Sequence, residues 1–225
     1  RSKQRNAPGA RFVDLLTTLS DISPELRIRF TSPHPKDFPD EVFYEIAARP
    51  NLTKSLHLPA QSGSTSVLHR MRRGYSREAY LDLVQRAREI IPDVGISTDM
   101  ISGFCGETEE EHQDTLSLMK EVQFDQAFLF AYSLRERTHA AHNLEDDVPE
   151  DVKQDRANQI MEIQSQISWE LNQQKIGQTF KCIIDRKEGN YFVGRTEFDS
   201  PDVDNEVLID AAKFYVKQGE FVDVK

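Results

Sequence analysis

The stretch VGISTDMISGFCGET, Val94–Thr108, reads as a strand that runs directly into a glycine-punctuated polar loop. Across Ile96–Ile101 the residues keep the period of two of an extended chain, so Ser97 and Asp99 share one face while Thr98 and Met100 share the other. Beyond the loop, Thr108 and Glu111 stand at capping-box spacing, and Leu116, Met119 and Val122 recur with the period of a helix that buries one side. Strand, loop and helix in that order make up most of a βαβ unit, the building block of a parallel sheet covered by helices.

The same unit recurs to either side. LRIRFTSP (Leu26–Pro33), SLHLP (Ser55–Pro59) and QAFLFAY (Gln126–Tyr132) read as strands, and ARFVDLLTTLSDI, DEVFYEIAAR, STSVLHRMRR and REAYLDLVQRAREI read as helices between them. Asp40 opens the second of these helices and Pro50 closes it, Gly74 stops the third, and Ser76 caps the fourth. Four parallel strands are therefore expected. In such sheets, ligand chemistry gathers at the carboxyl ends of the strands. There the sequence places TSPHP, AQSGS, SGFCGET and SLRERTHA. Any one of these is ordinary turn punctuation, and all four together predict a ligand site.

From Pro149 to about Lys175 runs a long polar helix with Val152, Ile160, Ile163, Ile167 and Leu171 at helical spacing, ending before Gly177. The texture then changes to short strands, TFKCIIDR, YFVGRTEF, NEVLID and FVDVK, which read as a small antiparallel barrel expected to lack its last strand. The predicted division is 1–175 for the α/β part and 176–225 for the barrel.

Net charge is −10, with 38 acidic against 28 basic residues, which excludes a generally basic nucleic-acid binder. No apolar run approaches the ~20 residues of a membrane span, and RSKQRNAPGARF has no apolar segment behind its basic residues, so neither membrane insertion nor secretion is expected. The two cysteines, Cys105 and Cys182, lack any metal-ligand spacing, so no metal site is predicted.

HLPAQSGS, RRGYSREAY, STDMISGFCGETEEE and FAYSLRERTHAA, in that order, resemble blocks of the radical S-adenosylmethionine (SAM) tRNA methylthiotransferases of the MiaB type; RFTSPHP and DDVPEDVK also fit. GFCGETEEE and FAYSLRERTHAA are similar to the eukaryotic mitochondrial branch. The resemblance implies the last four strands of a six-stranded (βα) barrel followed by an RNA-binding TRAM domain, in a chain expected to be the C-terminal part of a longer one. It further implies that the parent, a monomer in the mitochondrion, adds a methylthio group at C2 of N6-isopentenyladenosine beside a tRNA anticodon. S-adenosylmethionine and two 4Fe-4S clusters would be its cofactors; tRNA and a regulatory subunit of a cyclin-dependent kinase would be its partners. The family's CxxxCxxC loop and three further cluster cysteines are absent from this sequence, so the chain is expected to be inactive alone, with no catalytic residue of its own. The alternatives are a non-catalytic product that binds RNA or a kinase activator and, within the class, a parent that acts on threonylcarbamoyladenosine in tRNA or on a ribosomal protein aspartate, with the cytoplasm as the other compartment.

Carried onto the matching positions, the resemblance makes Gln61, Ser62, Gly63, Asp99, Ile101, Gly103 and Arg135 cofactor-binding candidates. Gln61 and Ser62 would hydrogen-bond the ribose and amino-acid end, Gly63 would allow close approach, and Arg135 would pair with a carboxylate or phosphate. Helix capping competes for Ser62 and Ser64, and His57 is read equally as cavity lining or as a satisfied core histidine. Glu107 is read as a helix-dipole partner or a ligand contact. Arg72 and Arg73, in the basic stretch HRMRRGYSR, become phosphate contacts for tRNA, as do Lys181 and Arg195 in the barrel, alongside Arg186, Lys187 and Tyr191. Phe192 is read as a half-buried strand aromatic.

Overall fold

A computed structural model describes residues 11–31, 34–201 and 203–225. Three parallel strands, β1 (Ser55–His57), β2 (Gly95–Ser102) and β3 (Gln126–Ala131), lie side by side in that order. Helices α1 (Phe12–Ser20) and α2 (Asp40–Ala48) precede β1, α3 (Thr65–Arg70) and α4 (Arg77–Ile90) connect β1 to β2, and α5 (Glu109–Val122) connects β2 to β3. The signals that end these helices act as read: Ser76 accepts from the Ala79 amide at 3.3 Å, and Thr108 and Glu111 close a reciprocal capping box.

Leu26–Pro33 does not make a fourth strand. Its described part makes one isolated parallel bridge, Ile28 to Leu52, outside the sheet, and Ser32 and Pro33 lie outside the described residues, as do residues 1–10. Arg27 and Arg29, on either side of Ile28, donate to main-chain carbonyls more than 150 residues onward, so this segment is held by the second part of the chain as well as by Ser55 of β1, to which Arg29 donates at 2.9 Å.

One face of the sheet is sealed. Leu56, Ile96 and Met100 are fully buried against Phe43 of α2, Tyr80 of α4 and Leu118 of α5. Each such side chain contributes about 1.5–3 kcal/mol of transfer free energy. The alternate residues of the same strands, His57, Ser97, Asp99 and Ile101, stay partly accessible on the other face.

After a short helix α6 (His139–Asn143), helix α7 (Glu150–Lys175) packs on β3, β2 and α5 and leads to the second part of the chain. Ile160 and Ile167 are buried as their spacing predicts, yet Lys153, Arg156 and Gln164 are buried beside them. Gly177 follows with φ +85°, the left-handed C′ position that glycine takes without strain. Strands β4 (Phe180–Glu188), β5 (Tyr191–Arg195), β6 (Val207–Asp210) and β7 (Phe221–Val224) then form an antiparallel sheet in the order β6-β5-β4-β7, bent by a bulge between Ile184 and Arg186.

The second sheet docks at the amino ends of the parallel strands. Arg27 donates to the carbonyls of Arg195 (3.1 Å) and Lys181 (2.7 Å), Arg29 donates to those of Glu197 (3.1 Å) and Phe198 (3.2 Å), and the Lys54 amide donates to the Glu197 carboxylate (3.0 Å). The carboxyl ends are therefore left open on the opposite side, roughly 25 Å away along β2 at ~3.3 Å per residue. No helix among the described residues is long and apolar enough to cross a membrane.

Candidate functional site

At those carboxyl ends lies a cavity of about 470 Å³ lined by Gln61, Asp99, Ile101, Phe130, Arg135 and Arg73, among others. Its floor is set by the turn after β1. Gln61 adopts φ +67° and still pairs with β2: its amide donates to the Asp99 carbonyl (2.9 Å) and its carbonyl accepts from the Ile101 amide (2.9 Å). Carbonyls that the irregular backbone leaves free are taken up by tyrosines. Tyr80 donates to Leu58 O at 2.7 Å, and Tyr75 donates to Pro59 O and Ala60 O at 3.0 and 3.1 Å. These bonds hold the turn rigid, which keeps the Gln61 side chain at the cavity wall without a cost in loop entropy on binding.

Alternation along β2 and β3 supplies the walls. Asp99 and Ile101 face the cavity while Thr98 and Met100 are buried behind them. On β3, Phe130 faces inward beside Tyr132, and Phe104 packs edge-on against Tyr132 at 4.9 Å. The Tyr132 hydroxyl is pushed up to about 12, chiefly by burial, with the Cys105 thiol adding to the shift. His57 lies on the accessible face: Nδ1 is 3.0 Å from Ser97 Oγ and Nε2 is 3.5 Å from Asp99 Oδ2. It lines a second hollow toward the other domain, shared with Arg29, Phe128 and Asp204, and Asp99 borders both spaces. His57 thus has a hydrogen-bond partner in Ser97 and borders this second hollow, not the cavity at the strand ends.

Three arginines line the cavity and differ in what they are free to do. Arg70 is fully engaged, bidentate to Glu111 at 2.8 and 2.6 Å and donating to Cys105 O at 3.1 Å, and Glu111 is held down to about 2 by that pairing. Arg73 and Arg135 make no ion pair with any described residue, so their guanidinium groups remain available to a carboxylate or phosphate.

Ser62, Gly63 and Gly103 lie behind the cavity rather than in it. The Ser62 hydroxyl sits 3.3 Å from Thr115 Oγ1 and accepts from the Ser64 amide at 3.2 Å; the Gly63 amide donates to Thr115 Oγ1 at 3.0 Å. A Cβ on Gly63 would meet the α5 backbone, at 2.5 Å from Thr115 Cα, and one on Gly103, at φ +69°, would meet the Lys153 side chain, with Cβ at 2.9 Å. Small residues are needed here for helix-to-turn contact. Glu107 is also internal: it accepts from the Gly103 amide (2.7 Å) and from Arg156 (3.1 Å) in a buried network that joins the β2–α5 loop to α7. Burial raises its carboxyl above the usual value even so.

Of the residues predicted to meet tRNA, Arg72 is exposed at φ +58° beside the cavity and Arg73 is within it. Lys181 and Arg195 sit at the domain junction, where their carbonyls hold Arg27, and the Arg195 side chain lies 3.0 Å from Asp185. Phe104, Phe130 and Tyr132 were missed as lining residues, although the alternation of Phe128, Phe130 and Tyr132 in QAFLFAY marks that face.

The donor set suits S-adenosylmethionine. Free guanidinium groups match its carboxylate, Asp99 and Gln61 match its ammonium and ribose hydroxyls, and Ile101, Phe104 and Phe130 match its adenine. An iron–sulfur cluster is not matched. Cys105 and Cys182 are both buried and stand in different parts of the chain, Cys182 is pushed up to about 11 by burial, and no group of three or more potential metal ligands occurs among the described residues.

Residues 6–119 match the radical SAM superfamily and residues 176–225 match the TRAM domain. The ribosomal protein uS12 methylthiotransferase RimO of Christiangramia forsetii is 49% identical over 99% of the chain and 48% of its own length. The human mitochondrial tRNA methylthiotransferase CDK5RAP1 is 48% identical over 96% of the chain and 37% of its own length. The tRNA-2-methylthio-N(6)-dimethylallyladenosine synthase of Phocaeicola vulgatus is 47% identical over 83% and 41%. The chain thus spans half or less of the length of these relatives. The superfamily match over half of the chain shows that it belongs to the radical SAM superfamily, here followed by a TRAM domain.

Proposed function

We propose that the chain is the cofactor- and substrate-binding part of an enzyme that adds a methylthio group to N6-isopentenyladenosine in tRNA. The observation that carries this reading is the convergence of Gln61, Asp99, Ile101, Phe130 and Arg135, which pairs with no described carboxylate, on one cavity at the carboxyl ends of the strands. When bound there, S-adenosylmethionine supplies radical and methyl-donor chemistry. The chain's own residues bind and orient it: Arg135 takes its carboxylate, Asp99 and Gln61 fix its polar end, and Ile101 with Phe130 excludes water from its adenine. The cluster ligands belong to the longer parent protein, and its place of work in this reading is the mitochondrion, supported by the human and rat relatives.

A second substrate, ribosomal protein uS12, has an observation in its favour. The relatives that cover 99% of the chain carry that name, and residues 176–225 hold ten acidic against seven basic side chains, a balance that suits a basic protein. Expression of the full-length protein in bacteria lacking their own tRNA and uS12 methylthiotransferases separates the two. Nucleoside digests analysed by mass spectrometry are expected to contain 2-methylthio-N6-isopentenyladenosine. A methylthiolated uS12 peptide with unmodified tRNA transfers the assignment to the protein substrate, and neither product removes both.

A further inference from the structure

His57 lies outside the cavity at the strand ends, yet it touches the one carboxylate that lines it. Among the described residues bordering that cavity, Asp99 alone is acidic. Asp99 pairs with no lysine or arginine among the described residues; its neighbour is His57, with Nε2 at 3.5 Å from Oδ2.

Sheet register makes this contact. β1 and β2 pair with His57 opposite Ser97, and Asp99, two residues onward, projects from the same face. On its other side Asp99 stands opposite Phe128 of β3, whose ring is edge-on to the imidazole with centroids 6.0 Å apart. Ser97, Asp99 and Phe128 thus hold the imidazole from three positions, all on strands that pair within this chain. A neutral imidazole carries one N–H. The arrangement that serves both polar neighbours has the Ser97 hydroxyl donating to Nδ1, at 3.0 Å, and the N–H on Nε2, directed at the Asp99 carboxylate. At 3.5 Å that contact is electrostatic rather than a full hydrogen bond. Arg29, the other base bordering the second hollow, donates to Ser55 Oγ and to the Glu197 and Phe198 carbonyls, with Asp204 at 3.8 Å. It is not free to draw Asp99 out of the cavity wall.

We propose that His57 is a positioning residue for cofactor binding: it holds the Asp99 carboxylate turned toward the cavity, ready for the polar end of S-adenosylmethionine, an inference that rests on the cavity reading above. A carboxylate already fixed in one orientation meets an ammonium or a ribose hydroxyl without the ordering cost of a free side chain.

The test is equilibrium dialysis of labelled S-adenosylmethionine against the full-length protein and its variants, with thermal midpoints recorded alongside. Two replacements separate the ring nitrogens, because the amide nitrogen of glutamine reaches about as far as Nε2 while that of asparagine reaches only the place of Nδ1. His57→Gln is expected to keep the parental affinity. His57→Asn is expected to lose about fivefold, the worth of one modest polar contact. Asp99→Asn is expected to lose about tenfold, and in that background His57→Asn is expected to add nothing, since the charge it positions is gone. Equal losses in His57→Gln and His57→Asn, or a full further loss in the Asp99→Asn background, reduce His57 to packing and overturn the inference; so does parental affinity in His57→Asn. With Asp99→Asn weakened, each of these results leaves the cavity reading intact. Affinity unchanged in both Asp99→Asn and Arg135→Ala overturns the cavity reading and the role of His57 together.

Discussion

Arg156→Met is expected to lower stability by about 3–5 kcal/mol near neutral pH, as removal of one partner from a buried ion pair does. Arg156 and Glu107 are both nearly inaccessible, and Arg156 supplies Glu107 with two bonds, to its carboxylate (3.1 Å) and to its carbonyl (2.9 Å). Without the guanidinium, Glu107 keeps only the Gly103 amide, too little to hold a charge away from water. The pH dependence has a definite sign. Burial already raises the Glu107 carboxyl above its model-compound value of 4.5, so this group costs stability as pH rises through the window above 4.5. Loss of Arg156 raises it further, so the deficit of the variant is expected to shrink as pH falls and Glu107 takes up a proton. Glu107→Gln in the Arg156→Met background removes the charge and is expected to restore most of the loss at pH 7. Urea midpoints of the three proteins between pH 4.5 and 7.5 measure this, and a deficit that does not change with pH contradicts it.

Gly63→Ala is expected to cost about 3 kcal/mol or more, at the upper end of overpacking effects. The added methyl meets backbone rather than a side chain that could swing aside, with Asp114 C at 2.7 Å and Thr115 Cα at 2.5 Å. Helix α5 has to move outward, which breaks the Gly63 amide bond to Thr115 and disturbs the capping contacts of Ser62. Ser62→Ala, which removes a hydroxyl and adds nothing, is the control and is expected to cost about 1 kcal/mol. Thermal midpoints separate the two; equal shifts would show that α5 is not pressed against the turn.

The order of strands and helices was legible in local patterns. Period-two alternation placed Asp99 and Ile101 on the open face of β2, and capping spacings placed the starts of α4 and α5. What escaped was set by partners distant in sequence. Leu26–Pro33 has a strand's composition, but Arg27 and Arg29 are held by carbonyls of the second domain. Ser62 and Gly63 look like ligand contacts because small polar residues end a strand there, and only the approach of α5 shows what they touch. The buried face of α7 is hidden by its polarity. Lys153 is satisfied by Asp146 and Glu150, Arg156 by Glu107, and Gln164 by the Phe124 carbonyl at 2.8 Å, so its buried face carries charge and amide groups where an apolar stripe is the usual signal.

The cavity at the carboxyl ends of β2 and β3 is tested most directly by S-adenosylmethionine itself. Equilibrium dialysis of the labelled compound against the full-length protein and its Arg135→Ala variant, followed by ultraviolet cross-linking and peptide mapping, reads both affinity and place. The expected result is a loss of about tenfold in affinity on removing the Arg135 guanidinium, with label on peptides that contain Gln61 or Phe130–Arg135. Undiminished affinity in the variant, with label confined to peptides outside the cavity, would contradict the assignment.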